Sequence, residues 1–198
     1  MATRKTPAKK AVKKVAAKAA RKVAKKTLKK PAKPTFVLRS PDFRANGTLS
    51  MEQVFGGFGC TGQNISPALN WSGAPAGTKS FALLVHDPDA PTGGAGWWHW
   101  LVLNIPASAT GLPKDAGKGD GSNLPAGAVQ IATDFGMPGW GGPCPPVGDK
   151  AHRYHFTLYA LSVDKLDVGG GSASLAGYMV NGNTIAKTTL TGKFARKA

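Results

Sequence analysis

Residues 153–161 read Arg153-Tyr-His-Phe-Thr-Leu-Tyr-Ala-Leu161, and this stretch decides the fold class. Tyr154, Phe156, Leu158 and Ala160 fall on one side; Arg153, His155, Thr157 and Tyr159 fall on the other. Successive side chains of a strand point to opposite faces, so this alternation is that of a β-strand. Working outward, Phe81–Asp87 begins Phe81-Ala-Leu-Leu-Val-His, a short apolar run that reads as a largely buried strand. Trp100–Ile105 and Phe36–Arg39 read as strands as well. Helical spacing is scarce. Ser172–Asn181 predicts a short helix with Leu175, Tyr178 and Met179 on one side and Ser172 or Ser174 as its cap. Thr184–Leu190 fits a helix or an extended segment equally well. Strands without a βαβ rhythm predict an all-β domain with minor helices, either a β-sandwich or a small barrel. Long punctuated segments lie between them, over Phe55–Ser72, Pro88–Trp97, Pro106–Gly127 and Gly136–Ala151, and such loops carry function on a β scaffold.

The charge is distributed very unevenly. Of the 26 Lys and Arg in 198 residues, 14 lie in residues 1–34, where none of the 10 acids occurs. The other 12 cations face all 10 acids in residues 35–198, so a nearly neutral domain follows a polycationic Lys/Ala/Pro arm. A body of this length can bury a sizeable core. Two cysteines make no disulfide framework, and no apolar run is long enough for a membrane-spanning helix. The arm lacks the apolar stretch and cleavage site of a secretory signal, so the expected location is cytoplasmic, with nucleoid association as an extension.

In the arm, Lys9, Lys10, Lys13, Lys14, Lys18, Arg21, Lys22, Lys25, Lys26, Lys29 and Lys30 recur in doublets, with Val12, Val15, Ala19, Val23 and Thr27 between them at helical spacing. Like charges repel in water, so the arm is expected to be disordered until a polyanion neutralises it. Closely spaced cations release condensed counterions from DNA or RNA, giving sequence-independent, salt-sensitive affinity. The arm has no aromatic to stack on bases and no Asn or Gln to read them. Its composition resembles the tails of linker histones and bacterial histone-like proteins. A solvated tail and an anionic membrane surface are the alternatives, the second disfavoured by the lack of Trp and Phe in residues 1–34.

Three polar clusters interrupt the apolar body. Asp87-Pro-Asp-Ala-Pro91 follows a buried strand. Trp97-Trp-His-Trp100 enters the next. Gly141-Gly-Pro-Cys-Pro-Pro146 is followed by His152-Arg-Tyr154. Prolines restrict the loops, which preorganises a site. The inventory fits anion binding by His99, His152, Tyr154 and glycine-rich backbone N–H groups, a metal on two His and one Asp, or acid–base hydrolysis. No close His-x-His or Cys-x-x-Cys pair favours a metal, and no G-x-S-x-G elbow favours a hydrolase. No metal and no cofactor is expected.

At these residues the chain resembles the phosphatidylethanolamine-binding protein family, in its bacterial Raf-kinase-inhibitor-like branch. The pattern comprises Gly59-Cys-Thr-Gly-Gln-Asn-Ile-Ser-Pro-Ala-Leu-Asn-Trp71, Asp87-Pro-Asp-Ala-Pro91, His99-Trp100, Thr133-Asp-Phe-Gly136, Gly142-Pro-Cys-Pro-Pro146 and His152-Arg-Tyr154, in order over roughly residues 36–195. The resemblance implies a β-sandwich of two antiparallel sheets with one or two short C-terminal helices. It also implies a small, rigid pocket for phosphate-like anions or phosphoryl headgroups, formed by Asp87, Asp89, His99, Gly142, Pro143, His152 and Tyr154. That makes the body a non-enzymatic binding module. A small esterase or phosphatase and an inhibitory interaction module are the alternatives; a kinase partner has no support in these residues. The family fold brings Cys60 and Cys144 to the same end of the sandwich, as free thiols if the location is cytosolic.

Each residue also has a plainer reading. His99 among tryptophans and Tyr154 at a strand start could be core residues. Asp87 could cap its own turn. His86 and His155 read as structural or surface, the tryptophans as core and rim, and Asn64 and Ser66 as ligands of backbone in a long loop. An anion beside two ionised Asp residues needs either protonated histidines or an Asp that bonds a histidine and faces away.

Overall fold

The computed structural model describes residues 35–197. The basic arm expected over residues 1–34 lies outside them. Two antiparallel sheets pack face to face, and the strands run β1 (Val37–Arg39), β2 (Leu69–Ser72), β3 (Ser80–Asp87), β4 (Trp97–Pro106), β5 (Gly111–Leu112), β6 (Val129–Gln130), β7 (His152–Leu161) and β8 (Thr184–Phe194), with helix α1 (Ala173–Gly182) before the last. The small sheet has the order β1-β2-β5 and the large one β6-β4-β3-β7-β8. This is the β-sandwich expected, with one short C-terminal helix among the described residues.

The period-2 pattern sorts side chains onto two cores. Phe81, Leu83 and Val85 of β3 and Tyr154, Phe156, Leu158 and Ala160 of β7 face the small sheet, against Leu38, Leu69 and Trp71. Ala82 and Leu84 of β3 and Tyr159 and Leu161 of β7 face the opposite way, against α1. With layers on both sides, β3 is buried at every residue except His86, which explains why it reads as a continuous apolar run. In β4 the alternation breaks at Asn104, whose φ of 58° lies in the left-handed region. Its amide accepts from Leu166 N–H at 2.7 Å and donates to Leu166 O at 3.0 Å. That irregular step returns Ile105 to the face used by Trp100 and Val102.

One sequence reading changes and one open alternative is settled. Helix α1 is capped by Ser172, whose hydroxyl accepts from Leu175 N–H. It buries Ala173, Ala176 and Val180, however, while Leu175 and Tyr178 face solvent. Small residues let the helix approach the sheet closely, which outweighs the larger apolar area of the other face. Thr184–Leu190 is extended and belongs to β8, which pairs antiparallel along β7 from Leu161 to His152.

Candidate functional site

Strands β3, β4 and β7 bring Asp87, His99, His152 and Tyr154 together at one end of the large sheet, lining a cavity of about 250 Å³. All four are buried. His152 donates from Nδ1 to Asp87 Oδ2 at 2.7 Å, and Asp87 Oδ1 accepts the Asp89 N–H at 2.8 Å. The far nitrogen of His152 lies 3.4 Å from Asp149 Oδ2. His99 donates from Nδ1 to the Gly141 carbonyl at 2.5 Å, and Gly141 N–H returns a bond to His99 O at 2.9 Å. A carbonyl only accepts, so the proton sits on Nδ1 and Nε2 is the ring's open nitrogen. Burial pushes the His99 pKa down to about 4, against the opposing pull of the Gly141 carbonyl and Asp87, so the ring is neutral near pH 7.

Tyr154 sets its ring 5.0 Å from that of His99, edge to face. Its hydroxyl is buried without a hydrogen-bond partner; among the described residues only the Trp71 indole N–H shares that condition among side chains. Burial, with Asp87 nearby, pushes the phenol well above its ordinary range, so it is a donor at any ordinary pH.

Three residues of the expected pocket have other partners. Asp89 turns to Arg153, which donates to it from Nε at 2.8 Å, Nη2 at 2.7 Å and its backbone N–H at 2.9 Å. The guanidinium holds the Asp89 carboxyl at about 2. Both carboxylates therefore have partners, but the second charge arrangement is split between them: Asp87 bonds a histidine and still lines the cavity, while Asp89 turns away to an arginine. The Gly142 N–H, expected to face an anion, donates to Asn64 Oδ1 at 2.8 Å, and Asn64 Nδ2 donates to Trp140 O at 3.0 Å. A Cβ at Gly142 would collide with the Gln53 carbonyl, so close backbone approach demands glycine here. Asp89, Gly142 and Pro143, expected in the pocket, are not among the residues that line the cavity. Ser66 likewise bonds backbone, accepting the Gly117 N–H at 2.8 Å. His86 and His155 are engaged with Ala95 O and Thr191 Oγ1, outside the cavity.

Of the walls, the sequence pointed to Trp97 as rim and to the proline-rich loop of Cys144, but not to Phe58 or Phe135. Phe58, Trp97 and Phe135 line one side, with Phe58 and Phe135 stacked at 6.0 Å and Trp97 edge-on to Phe135 at 5.5 Å. Ala90, Pro91 and Thr92 close another, and Cys144, Pro145 and Pro146 a third. Among the described residues no Lys or Arg lines the cavity. The free thiols expected at Cys60 and Cys144 are corrected: the two are close, with Cα atoms 6.0 Å apart, and are joined in a disulfide. Their separation lies within the range that a bridge requires. Among the described residues no group of three or more His, Cys, Asp or Glu is placed to hold a metal, and no helix is long and apolar enough to cross a membrane.

A two-sheet sandwich with a preformed, polar-floored cavity at one sheet end defines a small-ligand binding module. The chain belongs to the phosphatidylethanolamine-binding protein family, whose pattern it matches over residues 39–195. UPF0098 protein YbcL of Escherichia coli (strain K12) is 54% identical over 157 residues, covering 79% of this chain and 85% of YbcL. UPF0098 protein YbhB of the same organism is 45% identical over 159 residues, covering 80% of this chain and 99% of YbhB. The crystal structure of E. coli YbcL, described as a new member of the mammalian PEBP family, superposes with a TM-score of 0.79 at 52% identity, covering 83% of this chain and 99% of that one.

Proposed function

We propose that the cavity binds the oxyanion head of a small amphiphilic ligand, a phosphoryl or carboxylate group, without turning it over. The observation that carries this reading is Tyr154, which lines the cavity and whose buried hydroxyl is a donor left without a partner. Leaving such a group unsatisfied costs about 1–3 kcal/mol, which an incoming acceptor oxygen recovers. Aromatic walls beside a polar floor suit a ligand with an apolar body. Asp87, His99, His152 and Tyr154 serve as the binding set, with Asp89 positioned through Arg153, and Gly142 and Pro143 outside the lining. The non-enzymatic reading is supported by the surroundings of His152, whose Nδ1 donates to Asp87 and whose other ring nitrogen faces Asp149 at 3.4 Å rather than a hydroxyl or thiol nucleophile. Titrating inorganic phosphate and phosphoethanolamine into the protein by NMR tests it. Shifts at Tyr154 and His99 that vanish in Tyr154→Phe support it; unmoved resonances at high ligand overturn it.

A second reading concerns residues 1–34, carried by their 14 positive and no negative residues. The arm tethers the module to DNA or RNA through phosphate contacts, in the manner of histone-like tails. A nucleoid partner implies the reducing cytosol, whereas a disulfide persists in oxidising compartments. Thiol trapping in intact cells, alongside fractionation, distinguishes the two locations.

A further inference from the structure

The outer wall of the cavity is the part of the site with the least support of its own. Phe58 stands among glycines in Gly56-Gly-Phe-Gly59, has φ 51° and is 72% exposed. Its ring packs on Phe55 at 5.3 Å and on Phe135 at 6.0 Å but leaves most of its surface in solvent, so the backbone of the turn must be held as well. Within the turn, Cys60 N–H donates to Gly57 O and Gly62 N–H to Phe55 O, both local bonds. Three links tie the turn to the opposite wall or the chain end. Phe55 N–H donates to Pro143 O at 3.1 Å, Arg196 Nη2 donates to Gly59 O at 2.8 Å, and Cys60 is bonded to Cys144. Cys144 itself lines the cavity, and Phe58 lies two residues from Cys60. The disulfide thus joins two walls of one cavity across 84 residues of chain.

We propose that the Cys60–Cys144 disulfide is a redox-responsive positioning device for the Phe58 wall. Oxidised, it holds the cavity closed on that side; reduced, it releases the glycine-rich turn and weakens ligand retention. Both cysteines are half-buried, so a small dithiol reaches them. Its thiolate attacks Cys60 Sγ and forms a mixed disulfide, and Cys144 leaves as a thiolate. The reductant's second thiol then displaces Cys60 and departs as a cyclic disulfide. Two electrons pass to the protein sulfurs, and two protons complete the thiols. Arg196 Nη1 lies 3.8 Å from Cys144 Sγ, where a guanidinium stabilises the departing thiolate. The affinity consequence rests on the cavity being the ligand site; the release of the wall does not.

The test compares the full chain oxidised and after treatment with dithiothreitol, with Cys60→Ala/Cys144→Ala as a reductant-free control. Amide exchange at Cys60 and Gly62 should accelerate at least about tenfold more than at Leu83 in the core, because the opening is local. Inorganic phosphate should bind about tenfold more weakly to the reduced form, as expected when a wall loses its preorganisation. Unchanged exchange at Cys60 and Gly62 overturns the proposal, as does equal acceleration at Leu83, which marks a bond that only stabilises the whole domain. If the oxidised protein binds no phosphate, the anion reading fails on its own, and the exchange comparison still decides this one.

Discussion

His152 and Asp87 meet at 2.7 Å and tie the first residue of β7 to the last residue of β3 beneath the cavity. One carboxylate thereby orients an imidazole through Oδ2 and, through Oδ1, the turn that carries Asp89 toward Arg153. Ladder hydrogen bonds between β3 and β7 reach His86 and His155. Beyond that point the two strands are joined by side-chain chemistry, and that is where the cavity opens.

Removing one member of this buried pair strands the other. Asp87→Ala should destabilise by about 2–4 kcal/mol, since it leaves the His152 donor and the Asp89 N–H unpaired. Asp87→Asn keeps an acceptor oxygen and should lose about half as much. Urea denaturation followed by tryptophan fluorescence measures both. Equal losses would mean that the hydrogen bonds contribute nothing beyond the charge.

Tyr154→Phe should behave in the opposite way. Deleting a buried, unpartnered hydroxyl leaves ring packing intact, so the ligand-free protein should keep its stability or gain about 1 kcal/mol. Phosphate affinity should fall about tenfold in the same variant, the worth of one hydrogen bond to a charged group. A thermal melt and isothermal calorimetry decide this pair. Lost stability with unchanged affinity would assign the hydroxyl to the fold.

The His99 environment fixes a pH window lower than the ordinary histidine range near 6–7. Its folded pKa, about 4, lies below the unfolded value, so the unfolded chain binds the extra proton first as pH falls. Stability from this group is full above about 6.5, declines as pH falls toward 4 and levels off below, a loss of about 3 kcal/mol in all. His99→Gln should flatten that slope in denaturation measured from pH 7 to 4. Anion binding is coupled to the same proton, because a protonated Nε2 becomes a donor. Sulfate, whose own charge is constant over this range, should bind more tightly as pH falls from 7 to 5.

Part of the large sheet was legible because β3 and β7 carry their own signals, whereas Thr184–Leu190 of β8 fitted a helix equally well. Alternation in Arg153–Leu161 reports one interface, and the unbroken run in Phe81–Asp87 reports a strand covered on both faces. Leu69–Ser72 alternates, but over four residues inside a long punctuated segment, and Gly111–Leu112 is too short to show any period. The buried face of α1 was misread because Ala173 and Ala176 signal closeness rather than hydrophobic mass. At the site, motif order pointed to Asp87, His99, His152 and Tyr154, yet the partners of Asp89 and Gly142 depend on contacts 64 and 78 residues away. Phe58 was overlooked because an aromatic among glycines has no periodic context. Its one local clue was Phe55, three residues earlier, on whose ring it packs at 5.3 Å.

The arm permits the most quantitative test. If half or more of its 14 cations engage phosphates, the slope of log K against log salt on duplex DNA should be about −6 to −10. Affinity should then fall by orders of magnitude between about 50 and 200 mM salt. No single Lys makes a unique contact in such a mode, so each Lys→Gln change should cost little and about equally. Scrambling the order of the arm should preserve most of the affinity, because charge density carries it. Exchanging A·T-rich for G·C-rich duplex should matter only through groove width. The described cores draw on residues 38–190, so residues 35–198 should fold alone and, at a formal charge of +2 from 12 cations and 10 acids, bind almost no DNA. Filter binding and circular dichroism on full-length and truncated chains, across a salt series, provide both readings. Equal DNA affinity for the two would remove the arm from the interaction. A slope near −2 would mean that few lysines touch phosphate and that the folded domain supplies the rest, and strong binding to anionic vesicles without DNA binding would reassign the arm to a membrane surface.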